Sequence, residues 1–140
     1  MASSHDDVNV LYAQSMDEAI WSAKLAAAHA QVSQWRWATE SMSFDTPFSR
    51  ELFGGAAPRW LADDRAKPGE HVHHGLDAQG RIVVERVPGS HRERVLVHEA
   101  DQRIMLEPGW VYVNRYANLG TPEQRLLATQ QQVPELEQLK

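Results

Sequence analysis

Glu70-His71-Val72-His73-His74-Gly75-Leu76-Asp77-Ala78-Gln79-Gly80-Arg81-Ile82-Val83-Val84-Glu85-Arg86-Val87 is the stretch whose reading decides the fold. It divides into two strand-like runs, around 70–75 and 81–87, the second rich in β-branched residues, with Asp77-Ala78-Gln79-Gly80 between them. Asp and Gly at those positions are turn chemistry, and the runs beside them read as strands. So short a connection joins antiparallel neighbours, because parallel pairing needs a crossover.

The same pattern continues toward the C-terminus. Strand-like runs recur near 93–98, 103–107 and 110–116, separated by Pro88-Gly89-Ser90, Asp101-Gln102 and Pro108-Gly109. The expectation is a five-stranded antiparallel meander. In its last strand Trp110, Tyr112, Asn114 and Tyr116 alternate with Val111, Val113 and Arg115, so the two sets take opposite faces.

Toward the N-terminus the period changes to that of a helix. Ser15-Met16-Asp17-Glu18 has the form of a capping box, and nothing between it and Thr39 breaks a helix. Trp21, Leu25, Ala28, Val32 and Trp35 recur at helical spacing, so one long helix of about 36 Å is expected across a sheet face. On that helix Trp35 and Trp37 are some 200° apart, which leaves Trp37 outside the core stripe. Short helices are expected at 44–55, where Thr46 caps and Gly54 stops, and at 58–69, between Pro58 and Pro68-Gly69. Thr121-Pro122-Glu123-Gln124 has the cap and proline of one more helix, ended by Pro134. The chain therefore reads as one α+β domain over residues 1–140, with 1–14 and 134–140 poorly ordered. A cone-like sheet wrapped around the helices is the alternative arrangement.

Two segments echo one another. His74-Gly75-Leu76-Asp77 leads into Arg81-Ile82-Val83, and His98-Glu99-Ala100-Asp101 leads into Arg103-Ile104-Met105. Leu76-Asp77-Ala78-Gln79-Gly80-Arg81-Ile82-Val83 resembles the hairpins of YD-type and related bacterial β-meander repeats. The resemblance covers some ten of the 140 residues, includes no catalytic motif, and departs from the repeats in lacking a tyrosine before Asp77. It implies a hairpin and no activity.

Composition narrows the function classes. Net charge is −5 and the pI is near 5.8, which argues against binding to phosphate backbones or anionic lipid. Absence of cysteine excludes disulfides and thiolate ligands. No apolar run has the length of a membrane span, and no signal-peptide pattern opens the sequence, so the chain is expected to be cytoplasmic. Eleven Arg against three Lys, with much Ala, points to a bacterial source. No glycine fingerprint or nucleophile elbow is present, so neither a cofactor nor a hydrolase is expected.

Three sites remain. Trp37 with Arg36 can anchor a protein partner, since Trp, Tyr and Arg dominate binding hot spots. This leads to a non-enzymatic protein-binding module, of the immunity or accessory kind, as the first expectation. The second is a metal site or small enzyme built on His71, His73 and His98, because two His two apart on a strand share a face. The third is an apolar ligand pocket lined by Trp60, Trp110, Tyr112 and Tyr116. Oligomeric state is left open.

Overall fold

The computed structural model describes residues 4–43, 59–88 and 92–132. Within them the chain is α+β, with two helices, α1 (Ser4–Met16) and α2 (Glu18–Ala30). Eight strands follow: β1 (Gln34–Ala38), β2 (Trp60–Leu61), β3 (Val72–Leu76), β4 (Ile82–Arg86), β5 (Glu93–His98), β6 (Gln102–Glu107), β7 (Trp110–Ala117) and β8 (Arg125–Gln132). The paired strands are antiparallel, and no described helix is long and apolar enough to cross a membrane.

This corrects the expected five strands, long helix and C-terminal helix. The five runs read from sequence lie at β3 to β7, and β1, β2 and β8 come from segments expected to be helical. The long helix is interrupted at Asp17. Its carboxylate accepts the Ile20 amide at 3.0 Å, so Asp17, and not Ser15, caps α2. Ser15 is instead buried at the end of α1, donating to the Tyr12 carbonyl at 2.7 Å and accepting the Gly109 amide at 3.1 Å.

The helix ends after Ala30 with a tightened turn, in which Gln31 and Val32 donate to the Ala28 and His29 carbonyls. The chain then leaves as β1, where aromatic Trp35 and Trp37 suit a pleated, half-buried surface. Between Pro58 and Gly69, Trp60–Leu61 is a strand and Asp63–Arg65 a single 3-10 turn. The helix expected at 44–55, the start of the one expected at 58–69, and the tail from Pro134 lie outside the described residues.

The C-terminal expectation failed on a local resemblance. Thr121 Oγ1 accepts the Glu123 amide at 3.2 Å, two residues on, and Gln124 Oε1 accepts the Gly120 amide. That is a side-chain turn rather than a helix cap. Asn118 and Gly120 carry φ of 56° and 85°, which turn the chain back so that Arg125–Gln132 pairs with β7.

The chain divides into two compact units. The first, 1–27 with 95–140, holds α1 against β6, β7 and β8, in strand order β5-β6-β7-β8. Its core includes Val8, Ile104, Met105, Leu106, Val111 and Val113. The second, 28–94, has strand order β2-β1-β3-β4, with Ala38, Leu76, Val83 and Val84 buried.

In the second unit the β3–β4 turn is fixed by Asp77, whose Oδ1 accepts the Gln79 and Arg81 amides, each at 2.9 Å. Its Oδ2 meets Arg81 Nε at 3.0 Å, and Gly80 supplies φ of 81°. Burial alone would raise the Asp77 carboxyl, but the hydrogen bonds from Arg81 and Gln79 hold it below its ordinary value.

Gly75 marks a close approach. A Cβ there would lie 2.7 Å from Val32 Cγ2 and 3.2 Å from the Trp35 ring. Gly75→Ala is therefore expected to cost about 1–3 kcal/mol by overpacking. Urea unfolding checks this, and a loss under ~0.5 kcal/mol, typical of open surface positions, would contradict the contact.

Candidate functional site

Strand geometry places alternate side chains on opposite faces, and register fixes which of them meet. Trp37 is opposite His73, which is opposite Arg86. Trp35 is opposite Gly75, which leaves space for its ring. One face of β1, β3 and β4 therefore carries Trp35, Trp37, His73 and Arg86 together.

Their rings form a ladder. The Trp37 and His73 centroids are 4.3 Å apart and nearly parallel, and Trp35 and His73 are 4.7 Å apart. The Arg86 guanidinium lies 4.2 Å above the Trp35 ring, and His29 leans against its other surroundings at 5.6 Å. All five side chains are half-buried. His29 Nε2 in turn meets Glu93 Oε2 at 2.7 Å.

Burial first, and then the Arg86 charge, push His73 below its ordinary value. At neutral pH its ring is therefore uncharged, and Nδ1 is able to accept from Arg86 Nη2 at 3.4 Å. The ladder presents a flat, neutral, aromatic surface with one guanidinium at its end.

The opposite face is a buried charge network. His74 is fully buried and Glu85 is 4% exposed. Glu85 accepts from Ser41 Oγ at 2.7 and 2.9 Å and from Arg94 Nη1 at 3.1 Å. His74 Nε2 is 2.9 Å from Glu85 Oε2, and Nδ1 is 3.2 Å from the Val72 carbonyl oxygen.

The Met42 amide donates to Nε2 at 3.1 Å, so that nitrogen lies between a backbone donor and the Glu85 carboxylate. Burial would raise the Glu85 carboxyl, but the His74 hydrogen bond, the Arg94 charge and Ser41 bring it down to about 2. Trp60 stacks edge-on against His74 at 5.1 Å and carries the Arg36 guanidinium 4.2 Å over its own ring.

The sites expected from sequence are distributed as follows. Trp37 lies in the ladder, while Arg36 points to the other face and covers Trp60. Trp60 belongs to the second unit, and Trp110, Tyr112 and Tyr116 belong to the first. There Trp110 and Tyr112 have centroids 4.3 Å apart, and Tyr116 is buried, its hydroxyl accepting from Asn114 Nδ2 at 3.3 Å. A cleft of about 320 Å³ in that unit runs between Val10, Leu11 and Gln14 of α1 and Ile104 and Val113, and none of the three aromatics lines it.

His71 Nδ1 accepts the Lys67 amide at 2.9 Å, His73 is in the ladder, and His98 is in β5 of the first unit. Among the described residues no three His, Asp or Glu side chains are placed to hold a metal ion. His91 lies outside them.

Sequence reasoning did not single out Arg86, Glu85, Ser41, Arg94 or His29. Glu85 did leave a signal, as a carboxylate directly after the apolar run Ile82-Val83-Val84 and within the same strand. Set against family models, curated proteins and solved structures, the chain matches none of them.

Proposed function

We propose that the chain is a protein-binding module whose contact surface is the Trp35–His73–Trp37 ladder with Arg86. The observation that carries this is the half-exposed stack of three rings and a guanidinium on one sheet face. Such rigid aromatic and Arg groups supply most of the energy at protein interfaces. The stack is already ordered, so little side-chain entropy is lost when a partner covers it.

Charge favours a protein over a nucleic acid. The unit with the ladder balances nine acidic against nine basic residues, and the other carries ten acidic against five basic. Neither provides the positive field that a phosphate backbone requires.

Trp37→Ala is the test. Trp37 is half-buried, so its removal is expected to cost only about 1–2 kcal/mol of stability, below the ~3–5 of a fully buried ring. It is also expected to weaken partner association by about 2 kcal/mol, roughly thirtyfold in Kd. Affinity capture with the wild type, followed by titration of the retained protein against both forms, checks this. Equal affinity of the two, with both folded, would remove the ladder from the interface.

A further inference from the structure

The centre of the ladder is a titratable ring in contact with a fixed cation. His73 lies between Trp37 and Trp35, at centroid separations of 4.3 and 4.7 Å. Arg86 Nη2 is 3.4 Å from His73 Nδ1, and the same guanidinium is 4.2 Å from the Trp35 ring. A guanidinium only donates, so this approach needs Nδ1 as an acceptor and His73 as the neutral ring. A proton on Nδ1 sets two donors and two positive charges against each other.

The other charges around His73 differ in sign and strength. Burial, and then Arg86, oppose its protonation. Asp63, in the 3-10 turn, favours it by less than Arg86 opposes it, and His74, next along β3, opposes it more weakly still. His29 reaches the ladder through Trp35 and is paired with Glu93 at 2.7 Å.

We propose that His73 is a proton switch that decides where Arg86 sits. With His73 neutral, Arg86 is held against Nδ1 and the Trp35 ring. With His73 protonated, the imidazolium becomes the cation of the stack, between two indoles, and Arg86 leaves the ladder. Indole is the ring that best accepts a cation, so the three rings stay together while the guanidinium is exchanged. Arg86 is the last residue of β4 and only half-buried, so rotation of its side chain carries the guanidinium into water.

The switch regulates the contact surface proposed above, and only its consequence rests on that reading. Acid takes an arginine anchor out of the surface, so association weakens as pH falls. The exchange itself belongs to the chain alone and is tested without a partner.

Nuclear magnetic resonance of the full chain, titrated from about pH 8 down to pH 4.5, reads both groups while the Glu85 network is still intact. The His73 ring protons are expected to titrate with a midpoint below 6.5. The Arg86 Nε–H resonance is expected to move with the same midpoint. Contacts from the Arg86 side chain to the Trp35 indole should fade over that range, while those from His73 to both indoles persist.

Arg86→Gln is expected to raise the His73 midpoint, because the opposing charge is gone and burial remains. His73→Phe keeps a ring in the stack and is expected to abolish the pH response of Arg86. Should either variant fail to fold, the wild-type midpoints still decide. An Arg86 resonance that does not follow His73, or a His73 ring that titrates at 6.5 or stays neutral to pH 4.5, would overturn the switch. Equal affinity of Trp37→Ala and wild type for a partner would remove the contact surface but leave these midpoints in place, so the two failures are distinct.

Discussion

Glu85→Ala is expected to destabilise the protein by about 3–5 kcal/mol, the range for removing one member of a buried ion pair. The reason lies in what remains. His74, with no exposed surface, keeps a ring nitrogen aimed at the deleted carboxylate, and the largely buried Arg94 keeps its charge. Arg94 cannot shed its charge, so that charge, left without its carboxylate, accounts for much of the loss. Converting His74 to Leu in the same background should return part of it, because no buried polar ring is then left unpaired.

The same network sets an acid limit. The folded Glu85 carboxyl sits at about 2, below its ordinary 4.5. Its contribution is therefore complete above pH 4.5 and is lost as pH falls from there toward 2, on the order of 3 kcal/mol in all. Urea unfolding of wild type and variant at pH 6 and pH 3 measures both effects. The wild type should lose stability between them and the variant much less. A single-variant loss below ~1 kcal/mol, or parallel acid sensitivity, would contradict the network.

Trp35→Ala is the second large effect, expected at about 2–4 kcal/mol. A fully buried Trp costs ~3–5, and Trp35 is half-buried. Trp35 touches His29, His73 and Arg86 and fills the space over Gly75. Its loss therefore opens the ladder from the middle, whereas Trp37 is the end ring. Melts of the two variants should rank Trp35 above Trp37, and the reverse order would mean the stack is arranged differently.

The parts legible in the sequence were those with backbone punctuation. Asp77 and Gly80 announced the β3–β4 turn through the Asp side-chain bonds and the positive φ of glycine. Gly109 did the same for β6–β7, with φ of 75°. β1 had no such mark. Between Ala30 and Gln34 stand Gln, Val and Ser, none of which stops a helix, so Trp35 and Trp37 were placed at helical rather than strand period. The period decided everything about them. At 200° they part, and on a strand they share a face and a histidine.

β8 failed for a different reason. Leu126, Leu127, Ala128 and the glutamines are good helix formers, and pairing with β7 overrode that preference. The His71–His74 cluster was visible, but its partners depended on register. His74 meets Glu85 only because the β3–β4 ladder slips between Gly75 and Leu76, and no residue in the sequence declares that slip.

The central claim is that Trp35 and Trp37 occupy one face of a strand and flank His73. Nuclear Overhauser contacts from the His73 ring protons to both indoles test it most directly. The structure predicts cross-peaks to both rings, together with cross-strand contacts linking Arg36 to His74 and Ala38 to Val72. Sequential amide–amide contacts of a helix through 34–38, with only one indole near His73, would contradict it.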